Sequence, residues 1–226
     1  MMEDSPSPID KHIVAITGKT SPRVCYLATA SGDLPAHIDK FHAAYGALGC
    51  ESTHLAFFRQ SDPRAIPSGD FHAKLLAQDV IFVGGGNTKS ALGVWREWGV
   101  DRVLREAWER GVLLAGMSAG AMCWFEAGLT DSFWGAEYRP LSCLGILPGA
   151  CAVHYSSDPK RRETLHAAHR AGAVPTSIAI DDYAAAMFVD TSLDHVLSWK
   201  QNATSYLVSL ENDDVIETTL LAAQID

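Results

Sequence analysis

The sequence predicts an α/β fold: a mostly parallel sheet with helices on both faces, closed at its C-terminal end by antiparallel strands. Three observations lead there. Strand-like and helix-like segments alternate through the first half, the order that builds a covered parallel sheet. Val80-Ile81-Phe82-Val83 is apolar at every position, as a strand buried on both faces must be. Two such runs end abruptly in small-residue corners, Gly84-Gly85-Gly86-Asn87 and Gly116-Met117-Ser118-Ala119-Gly120.

The elements follow in chain order. The acidic, proline-containing start is expected to be flexible to about Asp10, with a short strand or hairpin arm over residues 12–17. Arg23 to Ala30 reads as a strand between Ser21-Pro22 and Ser31-Gly32. Pro35 opens a helix in which Ile38, Phe41, His42, Tyr45 and Leu48 recur at helical spacing, and Gly49 ends it. Thr53 to Phe58 is a strand, Phe71 to Ala77 a short helix, and Val80 to Val83 the strand feeding the triple glycine. Helices are expected over 89–98 and 101–110, broken by Gly99, with apolar stripes facing the core. Gly111 to Met117 is the strand that delivers Ser118, followed by a helix to residue 125 or 126. The mixed stretch 128–148 reads as a long loop. Ala150 to Val153 is a strand ending at His154-Tyr155, Pro159 to Ala171 a helix with proline in its first turn, and Thr176 to Ile180 a strand ending in Asp181-Asp182. The segments 184–189, 195–200 and 204–210 suit antiparallel strands.

Size and charge narrow the function. The 226 residues, 47% hydrophobic and 20% charged, suit one globular domain over 1–226. With 18 Lys and Arg against 27 Asp and Glu the formal charge is −9, which argues against nucleic acid as a partner. The N-terminus lacks the basic-then-apolar order of a secretory signal, and no run approaches the roughly 18 apolar residues of a membrane span. A cytoplasmic protein without a membrane partner is expected, and a homodimer is compatible with the chain. Five cysteines without C-x-x-C spacing suit reduced core thiols rather than a disulfide framework or zinc site.

The corners carry the chemistry. Gly116-Met117-Ser118-Ala119-Gly120 is G-x-S-x-G, the pattern of a nucleophile elbow, in which a sharp strand-to-helix turn lifts a serine hydroxyl above the sheet and admits only small residues on either side. The glycine corner lacks the Lys-Ser/Thr ending of a P-loop and the G-x-G-x-x-G register of a dinucleotide site, so no cofactor is expected. Its backbone suits an oxyanion hole instead: an N–H of Gly85 or Gly86 would face the same point as that of Ala119, and Asn87 would cap the following helix.

Ser118 then needs a base and an orienting acid. Of nine histidines, only His154 follows an apolar strand downstream of the elbow and precedes a polar loop. His166 and His169, three apart on one helix, have a spacing that could ligate a metal, but no acidic ligand completes it and no metal is expected. Asp181 and Asp182 lie at the next strand end, while Glu126, Asp131 and Glu137 are nearer the elbow in sequence. Physical reasoning favours a strand-end carboxylate without choosing between the neighbours.

FVGGGNT, AGMSAGAM, VHYSSDPKRR and IAIDDYAA, in that order between about Val80 and Val189, resemble the successive signatures of the serine-peptidase family that contains peptidase E, the aspartyl dipeptidase, and cyanophycinase. The resemblance implies a fold like that of class I glutamine amidotransferases, a flavodoxin-like sheet with a nucleophile elbow. It implies Ser118 as nucleophile, His154 as base, and Gly85 or Gly86 with Ala119 as oxyanion donors. The family's third member is a Glu in peptidase E; alignment of the strand puts Asp182 there. It also implies that Arg161 or Arg162, near the family's carboxylate-binding arginine, would hold an acidic substrate side chain; the plainer reading of the arginines is a solvated basic helix start. Asn87, at the glycine corner, is a further candidate substrate-binding residue. The expected activity is hydrolysis of the N-terminal peptide bond of short peptides, Asp-Xaa dipeptides among them. A cyanophycinase-like isopeptidase and a non-catalytic anion-binding protein are the competing readings.

Overall fold

The computed structural model describes residues 5–58, 62–67, 69–134 and 137–226. The backbone separates into two compact units, one ending at Ala121 and the other spanning Met122–Asp226.

The first unit opens with helix α1 (Pro8–Ile16), where a strand is expected over 12–17. Its start is locally encoded: the Ser7 hydroxyl accepts from Asp10 N–H, the Asp10 carboxylate accepts from Ser7 N–H, and Pro8 pre-sets the first turn. Of the start expected to be flexible to about Asp10, residues 8–10 are helical and Ser7 caps them, and residues 1–4 lie outside the described ones. Strand β1 (Arg23–Leu27), helix α2 (Pro35–Ala47), strand β2 (Glu51–Leu55), helix α3 (Phe71–Leu76), strand β3 (Val80–Val83), helices α4 (Thr88–Trp98) and α5 (Val100–Glu109) and strand β4 (Leu113–Gly116) follow. The four strands are all parallel, in the order β2-β1-β3-β4.

Alternation along the strands explains the two covered faces. Val24, Tyr26, Val80 and Phe82 pack with Ile13 of α1 and Ile38, Phe41 and Tyr45 of α2. Cys25, Leu27, Ile81 and Val83 point the other way and are equally buried. The strand order reverses between β1 and β3, and in sheets of this kind the carboxyl ends at such a reversal are where ligands are held. β3 and β4 run in register from Val80↔Leu113 to Val83↔Gly116, so the glycine corner and the elbow leave the sheet side by side.

The helix expected from Ala119 to about residue 125 is a single turn, α6 (Ala119–Met122), and the chain continues into strand β5 (Phe125–Thr130). In the second unit the expected long loop over 128–148 instead carries the end of β5, strand β6 (Arg139–Ser142) and the start of β7 (Leu147–Val153). Helix α7 (Pro159–Arg170), β8 (Ser177–Ile180), β9 (Ala184–Val189), β10 (Ser192–Ser198), β11 (Ser205–Glu211), β12 (Asp214–Leu220) and β13 (Ala222–Gln224) complete the chain. Six strands form one sheet, β12-β11-β8-β7-β5-β6, parallel in its β5, β7 and β8 centre and antiparallel at both edges. β13, β10 and β9 form a second sheet, antiparallel between β9 and β10. Among the described residues no helix is long and apolar enough to cross a membrane.

Candidate active site

In the first unit the elbow is built by steric necessity. Ser118 has φ +54°, a left-handed conformation that a side chain other than glycine adopts only when its surroundings enforce it. A Cβ on Gly116 would stand 2.2 Å from the Gly120 carbonyl oxygen, and one on Gly120 would stand 2.1 Å from that of Val83. The turn closes on itself and on β3, and only the bare backbone fits.

The neighbouring corner is as tight. A Cβ on Gly84 would meet Tyr26 Oη at 2.1 Å, and one on Gly86, at φ +140°, would meet the Ala30 carbonyl oxygen at 2.1 Å. The N–H groups of Gly84 and Asn87 are spent on the carbonyls of Leu27 and Ala30. Gly85 faces the elbow: a Cβ there would lie 3.2 Å from Ser118 Cβ and 3.7 Å from Ser118 Oγ. The sequence-derived neighbours Gly85, Gly86, Ser118 and Ala119 therefore share one strand-end rim. Asn87 caps α4, its Oδ1 accepting from Ser90 N–H at 2.8 Å.

In the second unit, parallel strands β7 and β8 end level with one another at Val153↔Ile180. His154 follows directly, also left-handed at φ +55°, and the Tyr155 N–H donates to the Ile180 carbonyl. This brings the imidazole Nδ1 into hydrogen bond with Asp182 Oδ1. Asp182 Oδ2 accepts from Ser157 Oγ at 2.6 Å. Partial burial disfavours the Asp182 carboxylate, but the hydrogen bonds from Ser157 and His154 outweigh it and hold the carboxyl below its ordinary range. A carboxylate only accepts, so Nδ1 carries the proton of the neutral ring and Nε2 carries the lone pair, the tautomer of a general base.

Asp181 does something else. Its buried carboxylate accepts from Ser156 N–H at 3.0 Å and Thr204 N–H at 3.3 Å, tying two loops together. The structure thus separates the two neighbours that the sequence leaves open. Of the three alternatives nearer the elbow in sequence, Glu126 accepts from Gly149 N–H at 2.9 Å and Glu137 pairs with Arg139 at 2.8 Å.

The arginines are engaged within their own unit. Arg161 is buried, its guanidinium 4.3 Å from the Tyr138 ring centroid and donating to Tyr138 Oη at 3.2 Å. Arg162 pairs with Glu217 at 3.4 Å and lies over the rings of Tyr155 and Tyr206. Arg161 thus departs from the solvated basic helix start of the plainer reading, whereas the Arg162 side chain stays 41% exposed. His166 meets Tyr155 Oη at 3.2 Å and Glu217 at 3.1 Å, while His169 is buried against Ser177 Oγ at 3.0 Å, so the two rings have separate partners. Sequence reasoning does not single out Ser157; its only signal is a hydroxyl three residues after the histidine in a polar loop.

The first unit thus presents a strained serine between glycines at a strand end, and the second a histidine oriented by an aspartate, side-chain types that hydrolases use. The sequence profile of peptidase family S51 matches residues 1–196, and the chain belongs to that family. It is 38% identical over 219 residues to a Bacillus subtilis (strain 168) protein described as an uncharacterized peptidase, YgaJ, covering 97% of this chain and 92% of that one. Among solved structures it resembles a peptidase from an acI-B1 actinobacterium, with TM-score 0.70 and 18% identity over 95% of this chain and 88% of that one. It also resembles a putative peptidase E protein from Listeria monocytogenes EGD-e, with TM-score 0.55 and 18% identity over 92% and 93% of the two chains. The sheet-and-helix architecture is that of the peptidase E fold, which is flavodoxin-like and class I glutamine amidotransferase-like.

Proposed function

We propose that this S51 peptidase is a serine exopeptidase that hydrolyses the N-terminal peptide bond of short peptides through Ser118, His154 and Asp182. The observation that carries the reading is the Asp182 carboxylate on Nδ1 of His154, which gives a strand-end imidazole the tautomer a base needs. In the proposed reaction Ser118 Oγ attacks the carbonyl carbon of the first peptide bond while its proton passes to His154 Nε2. The tetrahedral oxyanion is met by backbone N–H groups of Gly85 or Gly86 and Ala119, a kind of contact whose loss costs about 10²–10³ in kcat. His154 returns the proton to the leaving amine as the C–N bond breaks, and the acyl ester is left on Ser118. Water then attacks the ester, its proton passes through His154 to Ser118 Oγ, and the freed amino acid departs.

A screen of dipeptides and tripeptides with Asp, Gly, Ala or Met first tests the reading, together with labelling by a fluorophosphonate. Ser118→Ala should abolish both turnover and labelling, and His154→Gln should abolish labelling at Ser118. A Ser118→Ala chain with wild-type turnover on every peptide would end the assignment.

A further inference from the structure

The Asp182 carboxylate has two oxygens, and His154 occupies one. The other lies 2.6 Å from Ser157 Oγ, which is also 3.2 Å from the His154 carbonyl oxygen. A serine hydroxyl has a single proton to give. The shorter, charge-assisted contact to the carboxylate takes it. Ser157 lies on the turn that begins at His154, and Asp182 lies just past the end of β8, to which that turn is anchored through Tyr155 N–H and the Ile180 carbonyl. The hydroxyl therefore closes a loop of contacts from the histidine backbone, through the carboxylate, to the histidine ring.

We propose that Ser157 is a positioning residue for the His154–Asp182 pair, fixing the plane of the carboxylate so that one oxygen meets Nδ1 and setting how basic the imidazole is. The proposal rests on His154 as the general base of the reading above. The terminal torsion of an aspartate is broad and nearly two-fold, so one hydrogen bond alone leaves the carboxylate free to swivel; a second, from a neighbouring turn, holds it. The same bond disperses charge from the carboxylate, which weakens its pull on a protonated imidazole. Three neighbouring charged groups have partners of their own. Asp181 holds the 156 and 204 backbones, Asp158 accepts from Lys160 N–H and Tyr138 Oη, and the Lys200 ammonium lies 4.4 Å from the Tyr183 ring centroid.

Loss of the hydroxyl has a definite sign. Asp182 loses one of the hydrogen bonds that hold its carboxyl below the ordinary range, so it protonates at higher pH, and while ionised it pulls harder on an imidazolium. Both effects move the acid limb of the pH–rate profile upward.

The test uses the full chain with isotope-labelled histidine, following the His154 ring by NMR from pH 4 to 9, alongside kcat and KM on a cleaved peptide. Ser157 is exposed, so Ser157→Ala empties no core, and thermal unfolding verifies the fold. In Ser157→Ala the His154 ring resonances should move, the acid limb of the pH–rate profile should lie at higher pH, and kcat should fall about three- to tenfold with KM unchanged. Ser157→Thr, which keeps the hydroxyl, should restore all three. His154 ring resonances in Ser157→Ala that coincide with wild type across the pH range, or a threonine variant as impaired as the alanine one, would overturn the proposal. The NMR experiment needs no turnover, so moved resonances in a chain that cleaves no peptide keep the positioning role and sink the peptidase reading alone.

Discussion

Asp181 and Asp182 are adjacent in sequence yet hold different parts of the turn after β7: Asp182 takes the ring of His154, and Asp181 takes the backbone of Ser156. Their replacements should separate chemistry from stability. Asp182→Asn replaces an acceptor-only carboxylate by an amide whose NH2 can donate to Nδ1, so the tautomer is no longer fixed, and should lower kcat by about 10²–10⁴, with unfolding in urea little changed. Asp181→Ala strips acceptors from two N–H groups and should cost about 1–3 kcal/mol in stability, while folded molecules keep labelling at Ser118. The opposite pattern would exchange the roles of the two carboxylates.

The elbow glycines give a prediction of a different kind, because there the conflict is between backbones. A methyl on Gly120 would lie 2.1 Å from the Val83 carbonyl oxygen, where no side chain can yield. Gly120→Ala should destabilise the first unit by about 2–4 kcal/mol and abolish labelling at Ser118. Gly93→Ala is the control: it lies in α4 with nothing within 4 Å of the added carbon, and should leave stability equal or slightly higher. Thermal unfolding of the three proteins, followed by fluorophosphonate labelling, distinguishes them.

The sheet and the elbow were legible because their signals are local. Val80 to Val83 and Leu113 to Ala115 are unbroken apolar runs that stop at glycines, and the strand-end rule then led to His154 and to the Asp181-Asp182 pair. What local pattern does not carry is pairing. β5 and β6 lie in a stretch of mixed residues that becomes strand only because Ala127–Thr130 finds Arg139–Ser142 across from it. The one-turn α6 gives way to β5 for the same reason, tertiary pairing overriding a run that suits helix. Helix α1 is a miss of another sort: Ser7, Pro8 and Asp10 spell a capping box, and the apolar pattern of residues 12–17 alone suggested a strand. Spacing alone does not tell Asp181 from Asp182; the resemblance to peptidase E points to Asp182, and the side-chain directions at the strand end give the two carboxylates different partners.

For the arginines, the engagement of both guanidinium groups inside the second unit predicts how substrate selectivity responds. Arg162→Ala loses the contact with Glu217 and two ring faces, and should cost about 1–2 kcal/mol in stability. Arg161→Met should likewise act on stability, through its packing on Tyr138. Neither should change the ratio of kcat/KM for Asp-Xaa over Ala-Xaa dipeptides. A selective loss of the Asp-Xaa rate in either variant would restore the carboxylate clamp implied by the resemblance to peptidase E.

Acid should weaken the first unit at a pH set by two histidines. His42 Nε2 lies 3.0 Å from His54 Nδ1, and His42 Nδ1 lies 2.8 Å from Ser52 Oγ. One imidazole donates to the other, an arrangement open to neutral rings and closed when both are protonated. Burial, then the Arg64 charge and His54 itself, lower the His42 pKa from 6.5 to about 4, against the weaker opposite pull of Asp62 and Asp39. The unfolded chain thus binds a proton near pH 6.5 that the folded chain refuses until about pH 4. Stability is fully present above the unfolded value, declines as pH falls through that window, and levels off below the folded one. The slope should be on the order of 1 kcal/mol per pH unit for this one group. The aspartates with lowered pKa, Asp62, Asp79, Asp158 and Asp182, start from 3.8, so their own losses come at lower pH and do not mask it. Urea unfolding at pH 7.0, 5.5 and 4.5 should show the decline in the wild-type chain and a flatter profile in His42→Gln, whose amide keeps a donor and an acceptor but takes up no proton. Equal slopes in the two proteins would remove the histidine pair from the account and move the acid sensitivity elsewhere.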